Sequence, residues 1–304
     1  MRAGWNGAEP SSLPPLTARE RRRLARRAAL AGIALAVLFG LFLPLRGMDL
    51  LLERLRGRPV TALGPGMVQI WAAQALRTLG LRVVIEGEPM QTGGAFVANH
   101  SSWIDIVALQ RAAAPFLVSK AEVRAWPGIG FIGRAIGTMF IDRRPAEARR
   151  QEAELHARLA RGDRMAIFPE GTSSDGRRIL PFKSSLFGVF LSPDLAGTAV
   201  QPVTIAYRPR ADLPASFYGW WGEMDFASHI RDVLARSTDG TVTLTFHAPL
   251  PLADHPDRKA LARAAEAAVR SAFAPADPPG VPSGLHTALK PGEQSSFRQQ
   301  AERH

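Results

Sequence analysis

Asn99, His100 and Asp105 lie in the stretch VANHSSWIDI, residues 97–106, where one apolar run gives way to a polar knot and then to another apolar run. The histidine and the carboxylate could pair, but not on one ideal helix, where positions five apart point about 140° away from each other. If His100 precedes a helix and Asp105 sits in its first turns, the chain can fold the imidazole back onto the carboxylate. Such a pairing fixes the tautomer and leaves the distal nitrogen able to take a proton. It is the base-plus-orienter part of a catalytic triad. A substrate that brings its own hydroxyl needs no serine nucleophile, because the histidine can deprotonate it directly. On spacing alone, a histidine bonded to a helix cap accounts for the stretch equally well.

Other polar knots follow apolar runs. FIDRR, residues 140–144, ends in two arginines, whose planar donor forks suit a phosphate monoester. PEGTSSDG, residues 169–176, places Glu170 directly after a proline, ahead of Gly171 and Thr172. It contains neither a G-x-S-x-G elbow nor a G-K-[ST] phosphate loop. GIGFIG, residues 128–133, matches G-x-G-x-x-G, but Trp126-Pro127 stands where the dinucleotide fingerprint needs a strand. Its glycines are therefore read as serving a tight turn or close packing. With no cysteine in the chain, disulfides, thiolate catalysis and cysteine-ligated metal are excluded.

The elements that must position these residues alternate. RVVIEG, GAFVANH, PFLVSK, GTMFIDR, RMAIFPEG, AVQPVTIAYR and GTVTLTFHAPL read as strands. SWIDIVALQRAAA, with Ser101 or Ser102 as cap, PAEARRQEAELHARLARG and DRKALARAAEAAVRSAF read as helices. The pattern predicts an α/β domain with a mixed, largely parallel sheet flanked by helices. The polar knots all sit at strand ends, where sites in such sheets lie.

The 304-residue chain has a net charge of +11, and only four of its 38 basic residues are lysines. That bias, with abundant alanine, glycine and proline, points to a GC-rich bacterial genome. A basic balance suits nucleic acid or an acidic membrane, and the amino end selects the membrane. Residues 18–27, ARERRRLARR, are dense in arginine, and residues 28–45 carry no charge. As a helix those residues reach roughly 27 Å, close to the hydrocarbon thickness. The run is long for a signal peptide and lacks a cleavage site before Arg46. Pro44 and Gly47 are expected to break the helix, and a weaker apolar stretch follows from Met67 to Leu81. The expectation is a helical hairpin on or in the cytoplasmic leaflet, with a true transmembrane helix as the alternative. The resulting division is a disordered basic arm at 1–27, membrane-associated helices at 28–81, the α/β domain at 82–273 and a disordered tail at 274–304.

Taken together, the motifs resemble the glycerolipid acyltransferase family, the bacterial 1-acylglycerol-3-phosphate acyltransferases in particular. N-H-x4-D appears as Asn99, His100 and Asp105. G-x-x-F-[IV]-x-R appears as Gly137 to Arg143, F-P-E-G-T as Phe168 to Thr172, and a V-x-P-V-x-I strand as VQPVTI with Pro202. The resemblance covers roughly residues 82–250 and lies in four blocks in order. It implies that His100 is a general base and Asp105 its orienter, and that the acceptor hydroxyl attacks an acyl thioester in one displacement. Arg143, Glu170, Gly171 and Thr172 would hold the acceptor's glycerol-phosphate end, with Lys120 a further anion contact. No metal or bound cofactor is implied; acyl-CoA or acyl carrier protein is a co-substrate. The implied product is phosphatidic acid, made for phospholipid biosynthesis at the cytoplasmic face of the inner membrane, with membrane lipids and no nucleic acid as partners.

One departure stands out: the family commonly has arginine after F-P-E-G-T, and this chain has Ser173. Either Arg177 or Arg178 replaces that contact, or the head group is not a phosphate. FPEGTSSDGRRILPFKSSLFG and WWGEMDFASHI also resemble acyltransferases that finish ornithine lipids, whose acceptor hydroxyl sits on an amide-linked fatty acid. A lipid hydrolase using the same base on water, and a non-catalytic membrane-tethered protein binding lipid or nucleic acid, are the remaining alternatives.

Overall fold

The computed structural model describes residues 12–56, 64–125, 136–142 and 144–274, with a few isolated positions besides. Its strands are β1 (Leu81–Glu86), β2 (Gly94–Ala98), β3 (Phe116–Lys120), β4 (Met139–Ile141), β5 (Arg164–Ile167), β6 (Ala199–Arg208), β7 (Gly240–Phe246) and β8 (Leu250–Pro251). They form one sheet in the order β1-β7-β6-β2-β5-β3-β4, with β8 beside β6. β2 is parallel to β5 and β6, and β3 to β4 and β5; β7 and β8 are antiparallel to β6. The expected mixed, largely parallel sheet is what the chain forms. Its topology puts the carboxyl ends of β2 through β6 along one edge.

The helices are α1 (Ala18–Arg56), α2 (Gly64–Thr78), α3 (Ile104–Ala113), α4 (Pro145–Ala160), α5 (Phe226–Arg236) and α6 (Arg258–Ser271). β2 shows why both faces of the sheet must be covered. Phe96 and Ala98 pack with Ile104 and Leu109 of α3, Leu76 of α2 and Val233 of α5. Ala95 and Val97, on the opposite face, pack with Leu159 of α4 and Leu261 and Ala265 of α6. A strand buried on both faces reads as a continuous apolar run, as GAFVA does. Pro202 is tolerated in the central strand β6 because it falls between the β8 pairing at Ala199–Val200 and the β7 pairing that starts at Val203. Gln201 fills that gap, donating to the carbonyls of Glu88 and His247 and accepting from the Met90 N–H.

The amino end differs from expectation in two ways. Residues 18–27 are not a disordered arm but the start of α1, opened by a capping box in which Thr17 and Glu20 exchange hydrogen bonds. Part of the arginine block serves the protein itself. Arg23 donates to the Ala235 carbonyl at 2.8 Å, and Arg27 to those of Leu234 and Ser237 at 3.1 and 2.7 Å. These are the orphan acceptors at the carboxyl end of α5, where the helix dipole also favours a cation. Arg236, buried, pairs with Glu20 at 3.2 Å and donates to the Pro14 carbonyl. Gly80 (φ +73°) closes α2 beneath Arg27, where a Cβ would meet the guanidinium at 2.6 Å.

Secondly, α1 continues through Pro44 and Gly47. The proline removes one ladder bond and crowds the carbonyl four residues back, that of Gly40. The sequence beyond, rich in leucine and arginine up to Arg56, favours helix again and offers no competing turn. Among the described residues no helix is long and apolar enough to cross a membrane; several side chains of the uncharged stretch 28–45 lie outside the described set. The expected tail beyond residue 274 and most of GIGFIG also lie outside the described residues.

Replacing Arg27 with alanine leaves the carbonyls of Leu234 and Ser237, at the end of α5, without this donor. The expected cost is about 1–3 kcal/mol, read as a lower unfolding midpoint in detergent and faster proteolysis at the amino end.

Candidate active site

His100 follows β2 directly, and Asp105 is the second residue of α3. Of the two serines expected to cap α3, Ser102 does so: its hydroxyl accepts from Ile104 N–H at 3.3 Å, while Trp103, which stands between Ser102 and Ile104, makes no side-chain capping bond. Asp105 in turn reaches back from inside the helix. One of its oxygens accepts from Ser101 N–H at 2.8 Å, Ser102 N–H at 2.9 Å and His100 Nδ1 at 2.8 Å. The other accepts from the Tyr207 hydroxyl at 2.6 Å. The carboxylate is fully buried, and four donors offset what burial of its charge costs.

This arrangement settles the tautomer. A carboxylate can only accept, so His100 Nδ1 carries the proton and Nε2 holds a free lone pair. The imidazole is one-fifth exposed and stacks on Phe168, with ring centroids 4.2 Å apart and planes 23° from parallel. A ring fixed at one nitrogen and on one face, and open at the other nitrogen, can take a proton from a hydroxyl brought to it. Tyr207 stays protonated, because burial and the Asp105 charge push its hydroxyl well above the ordinary range.

The neighbouring side chains hold this turn in place. Asn99 bonds the Ile205 backbone in both directions, at 2.9 and 2.8 Å, where β2 and β6 end their pairing. Glu170 is 2% exposed and turned inward. Its two oxygens accept from His100 N–H at 2.8 Å and Leu180 N–H at 2.9 Å. The carboxyl of Glu170, expected to hold the acceptor, faces inward here and clamps the His100 turn to the segment after FPEGT. Burial lifts it from 4.5 to about 8, the two N–H donors opposing the rise and the Asp105 charge adding to it. Gly171 provides the left-handed corner (φ +68°) that lets the chain turn after Glu170, and Thr172 is half-buried beside it. Lys120 ends β3 on the same sheet edge, with its side chain outside the described residues, as Arg143 is entirely.

Ser173 donates to the Trp220 carbonyl at 2.5 Å, and Trp220 N–H donates to the Ser101 carbonyl at 2.8 Å. Trp103 Nε1 donates to His229 Nδ1 at 3.0 Å. Burial holds His229 down to about 4 and so keeps it neutral. Sequence reasoning missed Tyr207, which lies 102 positions from its partner, and missed α5. The α5 signal was present: Asp225 caps Ser228 N–H at 2.7 Å, and Ile230, Val233 and Leu234 stand at i, i+3 and i+4. Among the described residues no cluster of His, Asp or Glu could hold a metal ion.

Tyr207→Phe removes one of four donors to a buried charge, and an expected loss of about 1–3 kcal/mol would appear in denaturant unfolding. Glu170 also has a pH signature. Between 4.5 and about 8 the folded chain holds a proton that the unfolded chain has released. This group's stabilisation is therefore complete below the lower value and is lost as pH rises to the upper one. Unfolding measured across that window is expected to show this decline in the wild type and not in Glu170→Gln.

A family described as Acyltransferase matches residues 82–206. The chain is 43% identical over 270 residues to the lyso-ornithine lipid O-acyltransferase of Rhodobacter capsulatus, covering 88% of this chain and 96% of that one. It is 34% identical over 167 residues to the 1-acyl-sn-glycerol-3-phosphate acyltransferase of Neisseria gonorrhoeae, covering 54% of this chain and 61% of that one. The crystal structure of the 1-acyl-sn-glycerophosphate acyltransferase of Thermotoga maritima shares the fold, with a TM-score of 0.56 at 23% identity over 82% of this chain and 95% of that one. A histidine–aspartate turn at the carboxyl edge of an α/β sheet, in a chain matched through nearly the whole length of such a relative, belongs to the glycerolipid acyltransferase family, and the protein is a lysolipid O-acyltransferase.

Proposed function

We propose that the acceptor is lyso-ornithine lipid and that the chain completes it by acylating the hydroxyl of its amide-linked fatty acid. The observation that carries this reading is the 43% identity to a lyso-ornithine lipid O-acyltransferase through 96% of its length. The 1-acyl-sn-glycerol-3-phosphate relative is matched over only 61% of its own. This reading reverses the order in which the four-block resemblance placed the two acceptors. The site agrees: at the position after FPEGT stands a serine whose hydroxyl is committed to the Trp220 carbonyl.

In the proposed reaction His100 Nε2 takes the proton of the acceptor hydroxyl as its oxygen attacks the carbonyl carbon of an acyl thioester. The new C–O ester bond forms, the C–S bond breaks, and the imidazolium returns its proton to the departing thiolate of CoA or of acyl carrier protein. Asp105 stabilises the imidazolium in between. No acyl-enzyme forms, and none of the chain's own hydroxyls is consumed.

A lipid acceptor requires a membrane surface, and α1 presents one face to it. Arg19, Arg22 and Arg26 are exposed and continue at three- and four-residue spacing into exposed Leu30, Ile33 and Val37. Met48, Leu51 and Leu55 continue that spacing along α1, and Ile70 of α2 is exposed too. Basic residues at the head of an apolar stripe suit an anionic leaflet, which supports α1 and α2 lying on the cytoplasmic face of the inner membrane.

Acyl transfer from labelled acyl-CoA and acyl carrier protein, offered with lyso-ornithine lipid or lysophosphatidic acid, tests the reading. Lyso-ornithine lipid is expected to be converted. His100→Ala is expected to lower turnover about a thousandfold with folding intact, and Asp105→Asn about a hundredfold or more. Conversion of lysophosphatidic acid alone overturns the acceptor. Full turnover by His100→Ala overturns the mechanism.

A further inference from the structure

Every backbone polar group of the turn that carries His100 is bonded, from the His100 N–H to the Ser102 carbonyl. His100 N–H donates to Glu170 at 2.8 Å, and its carbonyl accepts from Ser174 N–H at 2.9 Å. Ser101 N–H and Ser102 N–H both donate to Asp105. The Ser101 carbonyl accepts from Trp220 N–H at 2.8 Å, and the Ser102 carbonyl from Asp105 N–H at 3.2 Å. Three segments therefore hold one turn: α3 through Asp105, the FPEGT loop through Glu170 and Ser174, and the stretch before α5 through Trp220.

Ser173 joins two of those segments. Its hydroxyl donates at 2.5 Å to the carbonyl of Trp220, the residue whose N–H holds Ser101. Both ends of this link are braced. On one side, the Ser174 hydroxyl donates to the Arg178 carbonyl at 2.9 Å. Buried Asp175 accepts from the Arg177 N–H at 3.1 Å and from the Arg178 guanidinium at 3.2 and 3.0 Å. On the other side, Trp220 Nε1 donates to the Met224 carbonyl at 3.0 Å, and its ring meets Phe226 edge-on, with centroids 5.7 Å apart. Phe226 in turn meets Trp103, the last residue of the His100 turn. Gly219 lets the two segments touch: a Cβ there would stand 2.9 Å from the Asp175 carbonyl.

We propose that Ser173 is a positioning residue: by fixing the Trp220 carbonyl it holds the Trp220 N–H on the Ser101 carbonyl, and so sets where His100 Nε2 stands when the acceptor hydroxyl arrives. Ser173 acts through Trp220 and Ser101 and touches no substrate. The inference rests on the general-base reading of His100 above and not on which lysolipid is the acceptor. Asp105 and Phe168 fix the imidazole itself, but the backbone from which it projects is set by the bonds at the His100 and Ser101 peptides. Proton abstraction needs the nitrogen within hydrogen-bond reach of the hydroxyl, and a displacement of about 1 Å there can cost about a hundredfold in rate.

The test compares Ser173→Ala, Ser173→Val and Ser173→Thr with the wild type, on whichever lysolipid the wild type converts, with the unfolding midpoint of each recorded. Threonine keeps the hydroxyl, and valine has nearly the shape of threonine without it. Ser173→Ala and Ser173→Val are expected to lose about ten- to a hundredfold in kcat with KM unchanged, because a bond that positions the base is felt in the transition state. Ser173→Thr is expected to recover most of that loss. A raised KM at unchanged kcat would put the hydroxyl on the acceptor and overturn the inference. Wild-type kcat in Ser173→Ala, whatever its unfolding midpoint, would make the bond structural only and overturn it too. So would a Ser173→Thr as slow as Ser173→Val. His100→Ala, run beside them, reads the general-base role separately: full turnover there removes that role and the inference with it.

Discussion

Everything around the site depends on how one buried carboxylate is satisfied. Asp105 has no exposure and four donors: two backbone N–H groups, an imidazole and a phenol. Remove the charge and the turn from Ser101 to Trp103 has nothing to wrap around. Remove the turn and the charge is left unpaired in an apolar sheet edge, which costs several kcal/mol. The question raised by VANHSSWIDI, whether it is a capped turn or a catalytic pair, therefore has no exclusive answer. The same oxygen gathers the N–H groups ahead of the helix and orients the histidine.

The sheet makes this possible by where it stops. β2 and β5 run parallel in the sheet and stop beside the middle of β6, which continues along β7 to Arg208, so Asn99, Phe168 and Tyr207 come to the site from three separate stretches of chain. Each supports His100 differently: Asn99 ties its strand to β6, Phe168 fixes its ring plane, and Tyr207 saturates its partner. Glu170 adds a backbone clamp from the β5 loop. The histidine's ring is thus held in place by the protein's own contacts, which is the preorganisation the proposed general-base role requires.

The strands were legible because both faces of the sheet are buried, which turns GAFVA and AVQPVTIAYR into apolar runs between turn residues. The histidine–aspartate pair was legible from spacing once the two were placed on opposite sides of a helix start. Three features were not. Glu170 looks, from FPEGT alone, like a group facing substrate; only the fold shows that its oxygens are taken by His100 and Leu180. Tyr207 sits in a strand pattern that any buried tyrosine would fit. The arginines of residues 18–27 read as a membrane signal, yet Arg23 and Arg27, four apart, face α5 while Arg19, Arg22 and Arg26 face out. Local patterns report which side chains share a face; they do not report what that face meets. Pro44 is the converse case: a local rule said stop, and the flanking helix formers carried α1 through.

The most direct test of the account is the protonation site of His100, read by nitrogen NMR on histidine-labelled protein in detergent at a pH where the ring is neutral. The account predicts that the resonances of His100 report a proton on Nδ1 and a bare Nε2, and that this preference is lost in Asp105→Ala. A proton on Nε2 in the wild type would contradict it, because a nitrogen that already holds a hydrogen cannot take one from the acceptor hydroxyl.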